Sequence, residues 1–157
     1  MKRPLVKRIA LTLLVIFLLL QFIRPKKNNG NAETDRDFTH YVHVPDTVKS
    51  LLKTACYDCH SNNTNYPWYA EISPASLWLA NHVKEGKAEL NFSDFSQYTR
   101  RRMKSKMSSI AEQVENREMP LKSYLIIHKN AELSDAQIRL IVSWTDSVKT
   151  ELSRKAL

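Results

Sequence analysis

Both cysteines of this 157-residue chain fall within four residues of each other, and a histidine follows at once: Cys56-Tyr57-Asp58-Cys59-His60. A disulfide between so close a pair gains little by restricting the unfolded chain. Two thiols three residues apart on a helical turn face the same side. Such a pair can add to the two vinyl groups along one edge of a porphyrin while the next residue turns its imidazole beneath the iron, the spacing of a c-type haem attachment site. With 43% hydrophobic residues and two glycines the chain can supply one modest core, and a covalent haem stays in place even when the core around it is small.

Three other uses of the pair compete with this one. A redox-active dithiol is expected beside a βαβ pattern, which this sequence lacks. A structural zinc site needs four ligands, and there is no second Cys-x-x-Cys or finger-spaced His pair to complete it. A plain disulfide is the third. Haem is the expected cofactor, one covalent haem c per chain.

The formal charge of +8 suggests nucleic acid, but residues 1–27 hold seven Lys/Arg and no acid, leaving 17 basic against 16 acidic residues from Asn28 onward. Binding of nucleic acid is therefore not expected. Arg100, Arg101, Arg102, Lys104 and Lys106 form a basic run that reads as a solvated helix face, or as a docking surface for an acidic redox partner.

Residues 9–23 are uncharged, and 12 of these 15 are Leu, Ile, Val or Phe. Insertion of such a helix into a bilayer is favoured by roughly 4–7 kcal/mol, although it spans only about 22 Å. The expectation is a transmembrane anchor over residues 1–24, retained rather than cleaved at the distant Gly30-Asn31-Ala32. This makes the chain a single-pass protein of a bacterial inner membrane with its haem domain in the periplasm. Residues 25–39 are expected to be a tether and 40–157 the domain.

From Pro45 onward the apolar spacing is helical and no segment alternates as a strand would, so the domain is expected to be all-α. The first helix begins near Asp46 and presents Val48, Leu51, Leu52 and Ala55 on the way to the cysteines. The second takes Ser73 as N-cap and Pro74 as its first residue, with Gly86 closing it. A third is expected over 94–117 with Phe95, Tyr98, Met103, Met107, Ile110 and Val114 as its stripe. It must end before Pro120. The fourth opens on a capping box at Ser134-Asp135-Ala136-Gln137 and buries Ile138, Ile141, Val142, Thr145, Val148 and Leu152.

Haem iron in electron-transfer proteins usually carries a second axial ligand. Met119 is the expected one, because Pro120 disfavours a helical conformation in the residue before it and leaves Met119 in an extended segment. Met103 and Met107 lie in a helical stripe, where packing explains them. His82 and His128 are the alternative ligands, and an open position is the third possibility. Tyr66, Trp68 and Tyr69, close after His60, are expected to wall the haem or to pack the core.

These landmarks together resemble a known family. Cys56-Tyr57-Asp58-Cys59-His60-Ser61-Asn62 is followed by Tyr66-Pro67-Trp68-Tyr69, Ser73-Pro74, Gly86, Asn91-Phe92-Ser93, Met119-Pro120 with Tyr124 and His128, and Leu133-Ser134 with Trp144. The chain resembles, over roughly residues 40–150, the bacterial haem-binding-domain family of c-type cytochromes common in Bacteroidetes. The resemblance implies a cytochrome c-like fold, haem attachment at Cys56 and Cys59, His60 as proximal ligand and Met119 as distal ligand. Leu121 and Phe95 depart from it, standing where relatives often carry proline and tryptophan.

The expected function is electron transfer by a membrane-anchored monohaem cytochrome that exchanges electrons with redox partner proteins and is not an enzyme. A haem-based sensor or peroxidase-like enzyme with an open sixth position is the alternative, and a haem-free dithiol oxidoreductase the next.

Overall fold

The computed structural model describes residues 3–154. Among them are seven α-helices: α1 (Arg3–Leu20), α2 (Asp46–Ala55), α3 (Tyr57–His60), α4 (Ala75–Glu89), α5 (Arg100–Glu115), α6 (Lys122–Leu125) and α7 (Asp135–Arg154). Short 3-10 turns fill several links, and among the described residues the one β-type pairing is a bridge between Asn29 and Asn63. The domain is all-helical, as its periodicity predicts.

The membrane-spanning part of the expected fold is corrected. Among the described residues, no helix is long and apolar enough to cross a membrane. The reason lies in the residues α1 holds and in where it stops. Its 18 residues take in the cations at positions 3, 7 and 8, and it ends at Leu20 rather than running on to Ile23. The uncharged part, 9–20, rises only about 18 Å at 1.5 Å per residue, against a hydrocarbon core of about 30 Å. The single-pass inner-membrane anchor is therefore not supported, nor is the periplasmic placement that rested on it.

Beyond Leu20 the chain turns onto the domain. The Gln21 side chain donates to the Ser73 carbonyl at 3.0 Å and accepts from the Ser73 amide at 3.1 Å. Arg24 and Lys27 both pair with Glu71. The stretch 25–39, expected as a tether, runs along the domain and bonds to it. Asn28 donates from its backbone to the Tyr66 hydroxyl at 2.6 Å and from its side chain to the Ser61 carbonyl at 2.9 Å. The Arg36 carbonyl accepts from the Phe95 amide at 2.8 Å. Phe38, from the same stretch, is completely buried and meets the rings of Tyr57, Phe92, Phe95 and Trp144.

That aromatic cluster is the centre of the core. α5 lies along α7, and the two bury Met107 and Val114 against Ile141 and Val148. The capping box of α7 forms as expected: the Ser134 amide donates to Gln137 Oε1 at 2.8 Å and the Gln137 amide to Ser134 Oγ at 3.3 Å. Trp144 donates its indole N–H to the His43 carbonyl at 2.9 Å, which ties α7 to the chain just before α2.

Three helix boundaries differ from expectation. The helix expected over 94–117 is split, with a 3-10 turn at Phe92–Gln97, a break at Tyr98, and α5 starting behind Thr99, whose side chain accepts from the Arg102 amide. Phe95 and Tyr98 are buried from outside α5, so a stripe at helical spacing is drawn by two separate elements. Gly86 does not close its helix either, because α4 continues to Glu89. Pro74 takes the N-cap place of α4, and the Ser73 hydroxyl, instead of capping, lies 2.9 Å from that of Ser76.

Candidate functional site

α2 and α3 meet at Cys56, whose backbone leaves the helical region (φ −127°, ψ −35°) and so separates the cysteines by a corner. The two residues between the cysteines fix that corner from opposite sides. Tyr57 is buried and stacks on Phe92, ring centroids 5.3 Å apart at 16°. Asp58 accepts from the Asn65 amide at 3.0 Å and from the Tyr124 hydroxyl at 2.6 Å. The thiols and the imidazole are left to face a cavity of about 560 Å³, inside the roughly 300–1,000 Å³ range of cofactor sites, and Cys56, Cys59, His60, His82 and Met119 all line it.

Both cysteines are free thiols, partly exposed at that wall. Burial pushes the Cys56 thiol up to about 12, with the Cys59 charge adding to it, and burial together with Asp58 pushes Cys59 up to about 11. At neutral pH both stay protonated, the opposite of what a reactive dithiol needs.

His60 Nδ1 lies 3.1 Å from the Leu90 carbonyl, which can only accept, so the ring proton sits on Nδ1 and Nε2 keeps its lone pair. Burial lowers the imidazole's affinity for a second proton, outweighing the opposite pull of the Leu90 bond. A neutral, oriented imidazole is what an axial ligand requires, and a carbonyl on its other nitrogen is the usual means of orienting it.

Gly86 is what lets α4 pass beneath this corner. A Cβ there would stand 2.7 Å from the Cys59 carbonyl oxygen and 3.1 Å from the Cys59 Cβ, atoms that no rotamer change can move away. Gly86→Ala should gain about 1 kcal/mol of helix propensity and lose about 1–3 kcal/mol to overpacking. A net loss is expected in urea denaturation, and a variant more stable than the wild type would refute this packing. The sequence offered Gly86 as a conspicuous residue, but a glycine near a helix end also signals a terminator.

Met119 reaches the cavity through a reversal at the end of α5. Arg117 adopts the left-handed region at φ 56°, and the amides of Glu118 and Met119 both donate to the Gln113 carbonyl, at 2.9 and 3.1 Å. His82 also lines the cavity, with Nδ1 held by the Trp78 carbonyl at 2.9 Å and Nε2 free. His128 is not among the lining residues, and its Nε2 lies 3.0 Å from the Tyr69 hydroxyl.

Tyr66, Trp68 and Tyr69 stand outside the cavity lining as well. Tyr66 and Tyr69 pack against Ala70, Leu79 and Val83, and Trp68 is 74% exposed. Lys106, placed by the sequence on a solvated face with Arg100 to Lys104, instead turns to the cavity, where its nearest carboxylate is Glu89 at 3.9 Å. Tyr124 lines the cavity too, although in the sequence it stands only as a landmark of the resemblance.

No match is found among curated proteins or among solved structures. One family model does match, that of the haem-binding domain, over residues 15–147. The stretch matched contains every cavity residue named above and covers most of the chain. A cavity of cofactor size walled by two thiols and an oriented neutral imidazole fits that family's ligand, and the chain belongs to the haem-binding domain family.

Proposed function

We propose that the protein carries one haem c, bound through thioethers from Cys56 and Cys59, with His60 and Met119 as axial ligands, and that it transfers electrons. The observation that carries this reading is the convergence of Cys56, Cys59, His60 and Met119 on one cavity wall system. In attachment each S–H adds across a vinyl group, sulfur to one carbon and hydrogen to the other, so no oxidant is consumed. The haem supplies a one-electron couple. The chain's residues do the rest: His60 presents Nε2, Leu90 holds its ring, Met119 offers a soft thioether that favours the reduced state, and the apolar wall excludes water.

The burial of both thiols weighs against the haem-free dithiol reading. His82 supports a second reading, a bis-histidine iron, because it lines the same cavity and the Trp78 carbonyl on Nδ1 leaves Nε2 for a ligand. Spectra of the oxidised protein separate the two. Methionine ligation gives a weak sulfur-to-iron charge-transfer band in the far red, and Met119→Ala is expected to abolish it and lower the reduction potential. A band that survives in Met119→Ala rejects Met119 as the ligand. Rapid binding of carbon monoxide by the reduced wild type would favour an open sixth position, and with it sensing or peroxide chemistry.

A further inference from the structure

The Met119 segment is held to the cysteine corner by a pair of contacts. Tyr124 donates its hydroxyl to Asp58 Oδ2 at 2.6 Å, across 66 residues of chain. Asp58 is not free to follow other partners, because its other carboxylate oxygen accepts from the Asn65 amide and its carbonyl accepts from Thr64 Oγ1 at 2.6 Å. Behind Tyr124, the His128 ring stacks at 4.2 Å and 8°, and the His128 Nε2 meets the Tyr69 hydroxyl at 3.0 Å. The segment 119–128 is thus pinned twice, to Asp58 between the cysteines and to Tyr69 beyond them. Its other end is fixed by the Gln113 carbonyl.

The geometry points to Tyr124 and Asp58 as positioning residues: their hydroxyl–carboxylate bond latches the Met119 segment to the Cys-x-x-Cys-His corner and so holds Met119 at the cavity, where its sulfur would serve as a haem ligand. The inference rests on the haem reading and on Met119 as ligand. A hydrogen bond to a charged acceptor is among the stronger ones, and Asp58 is fixed by its neighbours before Tyr124 arrives, so the bond constrains Tyr124 rather than the reverse. The ring of Tyr124 packs on His128 independently of its hydroxyl. Tyr124→Phe therefore removes the latch while leaving the stacking.

The test is carbon monoxide binding to the reduced, haem-loaded protein, since the gas must wait for the methionine to leave. Tyr124→Phe is expected to keep its covalent haem and its charge-transfer band, and to bind carbon monoxide about tenfold faster than wild type. Asp58→Asn should also accelerate it, because a single amide oxygen cannot accept from both the Asn65 amide and the Tyr124 hydroxyl, and the double variant should be no faster than Tyr124→Phe alone. Rates within twofold of wild type in Tyr124→Phe overturn the latch, as does an acceleration that tracks an equal loss of global stability in urea. Haem-loaded wild type that lacks the methionine band overturns the latch together with the Met119 assignment. Wild type without haem overturns the functional reading itself, and is recognised before any variant is compared.

Discussion

Phe38→Ala is expected to destabilise the protein by about 3–5 kcal/mol, the range for truncating a fully buried aromatic side chain. Phe38 is 0% exposed and touches four other rings, so no neighbour can collapse into the space it leaves without breaking another aromatic contact. One of those rings is Tyr57, between the two cysteines, so the damage reaches the attachment corner. Against a total stability of roughly 5–15 kcal/mol, the loss should be visible as a large fall in the urea midpoint. Phe22, 84% exposed, provides the control. Phe22→Ala should change stability by no more than about 0.5 kcal/mol. Equal effects of the two substitutions would contradict the packing of residues 25–39 on the domain.

The second large effect concerns the thiols. Cys56→Ala combined with Cys59→Ala is expected to leave a folded polypeptide from which haem is extracted completely by acid and organic solvent. Either single variant keeps one thioether, which shifts the absorption of its alkaline pyridine complex to longer wavelength. Truncation to Ala removes only one sulfur atom from each side chain, and both line the cavity at the edge of the core they pack against, so the fold should survive. Haem that still resists extraction from the double variant would disprove thioether attachment.

How much of this was legible in the residues depended on whether the signal was local. The Cys56 to His60 spacing and the Ser134 capping box are short-range patterns, and the structure builds the cavity corner and the start of α7 from them. The break at Tyr98 was hidden because Phe95 and Tyr98 fall at helical spacing from Met103 although they reach the core from a separate turn. Residues 25–39 looked like a solvated link because their composition is polar. Their attachment comes from side-chain hydrogen bonds and one phenylalanine, which carry no periodicity. The apolar run 9–23 is uncharged throughout, but the helix that carries it stops at Leu20, and its uncharged part begins only after the cations at 7 and 8, too short to span a bilayer. Lys106 and Tyr124 face the cavity through tertiary packing alone, and no neighbour in sequence announces it.

The central claim is that a haem becomes covalently joined to Cys56 and Cys59. The intact mass of the wild-type chain, produced in a host that matures c-type cytochromes and measured under denaturing conditions, tests it most directly. The account predicts a single species heavier than the polypeptide by one haem, and a bare polypeptide from that host would contradict it.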